Sequence, residues 1–104
     1  MRNYELAYVA DPDLDEEGLT ALEERVKSWV EAGQGKTTNV DRWGKRKLAY
    51  RIGKRSEGYY VFIQTEMPPA AGLAIERGLR LNEQILRFLI IQQEGESQEP
   101  APAG

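Results

Sequence analysis

The chain is predicted to be an α+β protein: a four-stranded antiparallel sheet with two helices on one face, joined in split βαβ order. Three observations predict it. Four segments carry the alternation or the β-branched and aromatic content of strands. Two segments carry apolar residues at helical spacing. Their order along the 104 residues is strand, helix, strand, strand, helix, strand. Right-handed crossovers in both βαβ units then put the two helices on the same side. A chain of this length makes one domain, able to bury about two-thirds of its unfolded surface.

The first strand is read from Asn3 to Val9, with Tyr4, Leu6 and Tyr8 on one face and Glu5, Ala7 and Val9 on the other. Asp11-Pro12-Asp13 ends it. Asp15 is the expected N-cap of the first helix, and the acids that follow suit its positive end. Leu19, Leu22, Val26, Trp29 and Val30 form one apolar stripe, and Gly33 and Gly35 stop the helix. Thr37 to Ile52 reads as a long strand with a bend or bulge at Gly44. Lys54 to Gly58 is expected as a turn, and Tyr59 to Thr65 as the third strand. Pro68 and Pro69 open a second helix to about Leu81, with Ile75 and Leu79 as core positions. Gly72 and Gly78 weaken it by roughly 1 kcal/mol each relative to Ala. Gln84 to Ile91 is the last strand. The domain is set at residues 1–92, and the acidic, Pro-containing tail from Gln93 is expected to be disordered. The whole is a ferredoxin-like arrangement.

Charge is segregated. The chain has net charge −3 and a pI near 5.0. Yet Lys36 to Gly58 carries eight basic and two acidic residues, while Met1 to Gly35 carries three and nine. A polyanion feels the local field within a Debye length of roughly 8–10 Å, so the acidic average does not exclude nucleic acid. Within the basic segment, Arg42, Lys45, Arg46 and Lys47 are interleaved with Trp43 and Tyr50. Cations beside aromatics suit RNA, whose phosphates take Arg and Lys and whose bases stack. The bland reading is an edge strand whose charge prevents strand-to-strand aggregation.

Other chemistry is poorly supplied. Histidine and cysteine are absent. So the side chain best suited to proton transfer near neutral pH is missing, and only carboxylates remain as metal ligands. No cofactor is expected. Gly35-Lys36-Thr37 resembles the end of a phosphate-binding loop, but Val30 stands where that loop needs glycine, and a helix precedes it instead of a strand. Asp11, Asp13, Asp15, Glu16 and Glu17 read as a charged loop and first helical turn. An RNA-recognition motif has the same element order, but aligning Gly58 puts Tyr59, Val61 and Gln64 where it needs three aromatics. There is no apolar run long enough to span a membrane and no signal-peptide core, so a cytoplasmic location is expected.

One sheet face lacks a helix. In the third strand Tyr60 and Phe62 oppose Tyr59, Val61 and Ile63. In the fourth, Phe88 and Ile90 oppose Arg87, Leu89 and Ile91. Either parity leaves an apolar set outside, and such a patch marks an interface. The expectation places Val61, Ile63, Leu89 and Ile91 there as partner contacts.

MRNYEL, RWGKRKLAYRI, GYYVF and ERGLRLNEQILRFLI, in this order over residues 1–92, together resemble the bacterial ribosomal protein S-six family, the sixth protein of the small subunit. The resemblance implies a non-enzymatic protein in the ribosome. It would bind the central domain of small-subunit ribosomal RNA as a pair with the eighteenth small-subunit protein. It places Arg2, Arg80 and Arg87 near RNA beside Arg42, Lys45, Arg46 and Lys47. It brings Trp43, Leu48, Tyr50 and Arg51 into the partner surface. Arg51 departs from the family, which often has proline there. The alternative, a small-molecule-binding or acylphosphatase-like enzyme of the same fold, would need a phosphate cradle after the first strand, where Asp11 and Asp13 would repel phosphate.

Overall fold

A computed structural model describes residues 1–93. The elements are β1 (Arg2–Ala10), α1 (Glu16–Ala32), β2 (Lys36–Ile52), β3 (Arg55–Met67), α2 (Ala71–Leu81) and β4 (Ile85–Gln93). The strands are antiparallel in the order β2-β3-β1-β4. This is the ferredoxin-like arrangement expected from the element order. The tail lies outside the described residues except for Gln93, which pairs with Asn3 at the end of β4.

Local signals explain most boundaries. Asp15 caps α1 by accepting from the Gly18 N–H at 2.8 Å. At the other end, Gly33 donates back to Trp29 and Val30, but the left-handed residue is Gln34, with φ 72°. Pro68 and Pro69 stand before α2, and their carbonyls accept from Ala71 and Gly72. The turn expected over 54–58 is shorter than expected. Ile52 pairs with Arg55, so the loop is Gly53-Lys54 alone. Gly53 takes φ 60° at the first loop position, as a tight hairpin matched to strand twist requires.

The core lies between the helices and one sheet face. Tyr4, Leu6 and Tyr8 of β1 and Val61, Ile63 and Met67 of β3 meet Leu19, Leu22, Val26 and Val30 of α1 and Ile75 and Leu79 of α2. Gly78 costs α2 helix propensity, yet a Cβ there would lie 3.0 Å from the Trp29 ring, so the bare position lets the two helices close.

The parity question is thereby settled, and part of the expectation fails. Val61 and Ile63 are buried under the helices and are not surface contacts. The register Leu6↔Ile63 and Tyr8↔Val61 ties them to the apolar face of β1. Tyr60 and Phe62 face the open side instead. In β4, Leu89 and Ile91 pair with Ala7 and Glu5 and do stand on the open face.

Candidate nucleic-acid and partner interface

The open face is built by alternation and by a bulge at Trp43. Ala7 pairs with Phe62 and Leu89, and Val9 with Tyr60 and Arg87. These residues line a groove of about 220 Å³. In β2 the register jumps between Arg42, opposite Val61, and Gly44, opposite Tyr60, leaving Trp43 as the extra residue. Gly44 carries the strain at φ 90°. The bulge changes which residues share a face. Residues 43 and 46 of an unbroken strand would point to opposite sides. Here Trp43 tilts onto Phe62 at 4.7 Å, and the Arg46 guanidinium lies 5.7 Å over the Trp43 ring while donating to its carbonyl at 3.2 Å. The Trp43 indole N–H donates to Asp41 at 3.2 Å. Trp43 stays 52% exposed and Leu89 58%, so the strip is apolar and accessible.

Beyond Lys47 the hairpin leaves the plane of the sheet. Between Lys47 and Ile52 the register shifts again, so residues 48–51 have no ladder partners in β3. Two strands separate β2 from β4, about 14 Å at the usual strand spacing. Nevertheless Arg87 Nη1 donates to the Tyr50 hydroxyl at 2.9 Å, and its guanidinium lies 5.4 Å over the Tyr50 ring. The arm therefore curls across the open side at one end of the sheet. Val9 points to the open side and is still buried. A Cβ at Gly58 would fall 2.1 Å from the Val9 side chain, so only glycine fits beneath it. Leu48 packs beside Gly58 and is buried too. Its expected partner contact is corrected: it fixes the arm and presents no surface.

The expectation for Arg42 is corrected as well. Its side chain points to the helix side, where Nε donates to Glu23 at 2.8 Å, Nη1 to Glu16 at 2.7 Å and Nη2 to Thr20 at 3.2 Å. These bonds, Glu16 first and then Glu23, hold the guanidinium still more firmly protonated than usual. A cation so engaged is not free for phosphate. Its role is structural, because Glu23 is 8% exposed and needs a counter-charge. The sequence held a signal for it: Glu23 falls within the stripe Leu19, Val26, Val30, four residues after Leu19 and three before Val26. Burial, and secondarily Glu23, pushes the neighbouring Tyr8 hydroxyl well above its ordinary range.

The remaining expected cations fall into two places. Lys45, Arg46 and Lys47 are exposed on or beside the arm, as is Arg51, which was expected on the partner surface. Arg87 and Arg80 lie at the same end of the sheet, since Ile85 pairs with Ala10 and Ala10 with Tyr59. Arg80 is bonded to Glu76 and lies 5.4 Å over the Phe88 ring. Arg2 is at the far end, opposite Met67 and about 27 Å from Ala10 along the strand. Lys54, which sequence reasoning left in a turn, joins the arm tip. Arg55 was missed as well. It donates to Asp11 at 2.7 Å and Asp13 at 3.0 Å, which accounts for the acidic loop after β1. Among the described residues no cluster of carboxylates is arranged to hold a metal ion, and no helix is long and apolar enough to cross a membrane.

The sequence profile of the family Ribosomal protein S6 matches residues 3–92. The small ribosomal subunit protein bS6 of Desulforamulus reducens is 47% identical over 93 residues, covering 89% of this chain and 98% of that protein. The bS6 of Caldanaerobacter subterraneus subsp. tengcongensis is 48% identical over 92 residues, covering 88% and 97%. The crystal structure of 30S ribosomal protein S6 from Thermotoga maritima superposes with a TM-score of 0.83 at 33% identity, covering 88% of this chain and 87% of that one. With the fold, the split surface and these likenesses in agreement, the chain belongs to the ribosomal protein S6 family, non-enzymatic components of the small ribosomal subunit.

Proposed function

We propose that the chain binds the central domain of small-subunit ribosomal RNA together with the eighteenth small-subunit protein, using two adjoining surfaces for the two partners. As a ribosomal protein it works on the ribosome, in the cytoplasm. The observation that carries the reading is the pairing of an exposed apolar strip with a cationic arm at one end of the same sheet. Trp43, Phe62, Leu89 and Ile91 offer the strip, and Tyr50 stands at its border. Lys45, Lys47, Arg51 and Lys54 make no ion pair within the described residues. Arg46 and Arg87 flank them, Arg80 lies at the same end on the helix side over Phe88, and Arg2 makes a separate contact at the far end.

The two surfaces divide the labour physically. Phosphate contacts release counterions and give affinity that falls with salt. Apolar burial is insensitive to salt and gives the protein–protein contact. The chain's net charge of −3 opposes RNA binding at long range, so the partner protein is assigned much of the affinity. The enzyme reading has no support: the loop after β1 presents Asp11 and Asp13 to Arg55 and offers no phosphate cradle.

The test is titration of a central-domain RNA fragment with this protein, with and without the eighteenth protein, over a range of salt. Tight binding that requires both proteins and weakens steeply with salt supports the proposal. RNA binding that is indifferent to the partner, or to salt, contradicts it.

A further inference from the structure

We propose that Arg55 is a positioning residue, which sets the angle of the basic arm so that Lys45, Lys47, Arg51 and Lys54 meet phosphates as a fixed array. The proposal rests on the phosphate-binding reading of the arm given above. The arm needs such a device. Its ladder to β3 is interrupted between Lys47 and Ile52, and its tip is the two-residue loop Gly53-Lys54. Lys45 and Lys47 at the base of the arm and Arg51 and Lys54 on it make no ion pair among the described residues, and like charges along one hairpin repel and favour a splayed arm.

Two contacts oppose that tendency from opposite sides. On the open side Tyr50 lies against Arg87. On the other, Arg55 spreads its planar fork over two carboxylates of one loop, Asp11 at 2.7 Å and Asp13 at 3.0 Å. That loop is itself anchored. The Asp11 N–H donates to the Gln84 carbonyl at 2.8 Å, and the Asp13 N–H donates to the Asp11 carboxylate at 2.9 Å. Asp11 is only 19% exposed at its side chain. The residue before β4 thus holds the loop, the loop holds Arg55, and Arg55 holds the arm beside its tip. An array fixed beforehand loses less freedom on binding, so the clamp acts on affinity without touching RNA.

Simple electrostatics and the clamp predict opposite signs for one variant. Asp11→Asn with Asp13→Asn removes two negative charges near the arm and by charge alone strengthens RNA binding. If the carboxylates position Arg55, the same variant binds the central-domain fragment, with the eighteenth protein present, about fivefold more weakly. Its salt slope is unchanged, because no phosphate contact is lost. Arg55→Lys, which keeps the charge but not the fork, falls between the variant and wild type. In the free protein, amides of residues 45–55 exchange about tenfold faster in the double variant and in Arg55→Gln, while those of β1 stay as slow as in wild type. Unchanged exchange in the arm, or tighter RNA binding by the double variant, overturns the proposal. Failure of the wild-type protein to bind RNA counts against the RNA reading, and the exchange measurement on the free protein still decides whether the clamp exists.

Discussion

The two faces of the sheet come from alternate residues of the same strands, yet they do different work. On the covered face Leu6, Ile63, Val26 and Leu79 are sealed from water. On the open face Phe62, Leu89, Ile91 and Trp43 have similar chemistry and stay accessible. Apolar character alone therefore does not say which residues hold the fold. The helices decide, and they are positioned by chain order and crossover handedness. The same hydrophobic effect that stabilises the covered face is available on the open one for the docking proposed above.

The sharpest way to break this comparison is to compare a truncation in the covered core with changes on the open face. Leu79→Ala or Val26→Ala is expected to cost about 2–4 kcal/mol in denaturant unfolding, as fully buried sites do. A loss under about 0.5 kcal/mol, typical of surface positions, would mean the covered face is misassigned. Leu89→Ser with Ile91→Ser is expected to change stability by less than about 1 kcal/mol. It should weaken binding to the eighteenth protein about tenfold or more, equivalent to about 1.4 kcal/mol, with the salt slope of RNA binding kept. A folded double variant that pairs normally removes the open face from the interface.

The arm sharpens the comparison further, because its contribution is electrostatic. Lys45→Ala with Lys47→Ala is expected to flatten the salt slope of assembly by about one unit per lost phosphate contact. An unchanged slope would reduce the arm to an anti-aggregation edge. The smallest effect is expected at Tyr8, whose buried hydroxyl has no hydrogen-bond partner among the described residues. Tyr8→Phe should alter stability at pH 7 by less than about 1 kcal/mol. In the folded chain the hydroxyl holds its proton more tightly than in the unfolded chain. That contribution is therefore fully present below the unfolded value near 10 and is lost as pH rises above it. Tyr8→Phe should remove this share of the alkaline loss, and a pH profile identical to wild type would show that Tyr8 contributes none of it.

Element order, the cap at Asp15, the bulge at Gly44 and the helix stripes were legible because each rests on local chemistry. Sidedness was not, because β3 is apolar at both parities, with Tyr60 and Phe62 against Val61 and Ile63. It becomes readable only through the register with β1, where Glu5 opposes Gln64 and the two side chains bond at 2.7 Å. The basic run was likewise legible as a run but not residue by residue. Arg42 is spent on Glu16 and Glu23, and Arg55 on Asp11 and Asp13, through contacts between residues 19 to 44 positions apart. Spacing within one strand carries no information about such pairs.

Side-chain oxidation footprinting of the free protein and of the assembled complex with the eighteenth protein and RNA tests the division of faces most directly. In the free chain Trp43 and Leu89 on the open face and Leu73 and Leu81 on α2, at 71% and 72%, are all exposed, so all are expected to be oxidised. Assembly is expected to protect Trp43, Leu89 and Ile91 and to leave Leu73 and Leu81 reactive. Protection of Leu73 and Leu81 with Trp43 and Leu89 still open would place the partner on the helices and contradict the account.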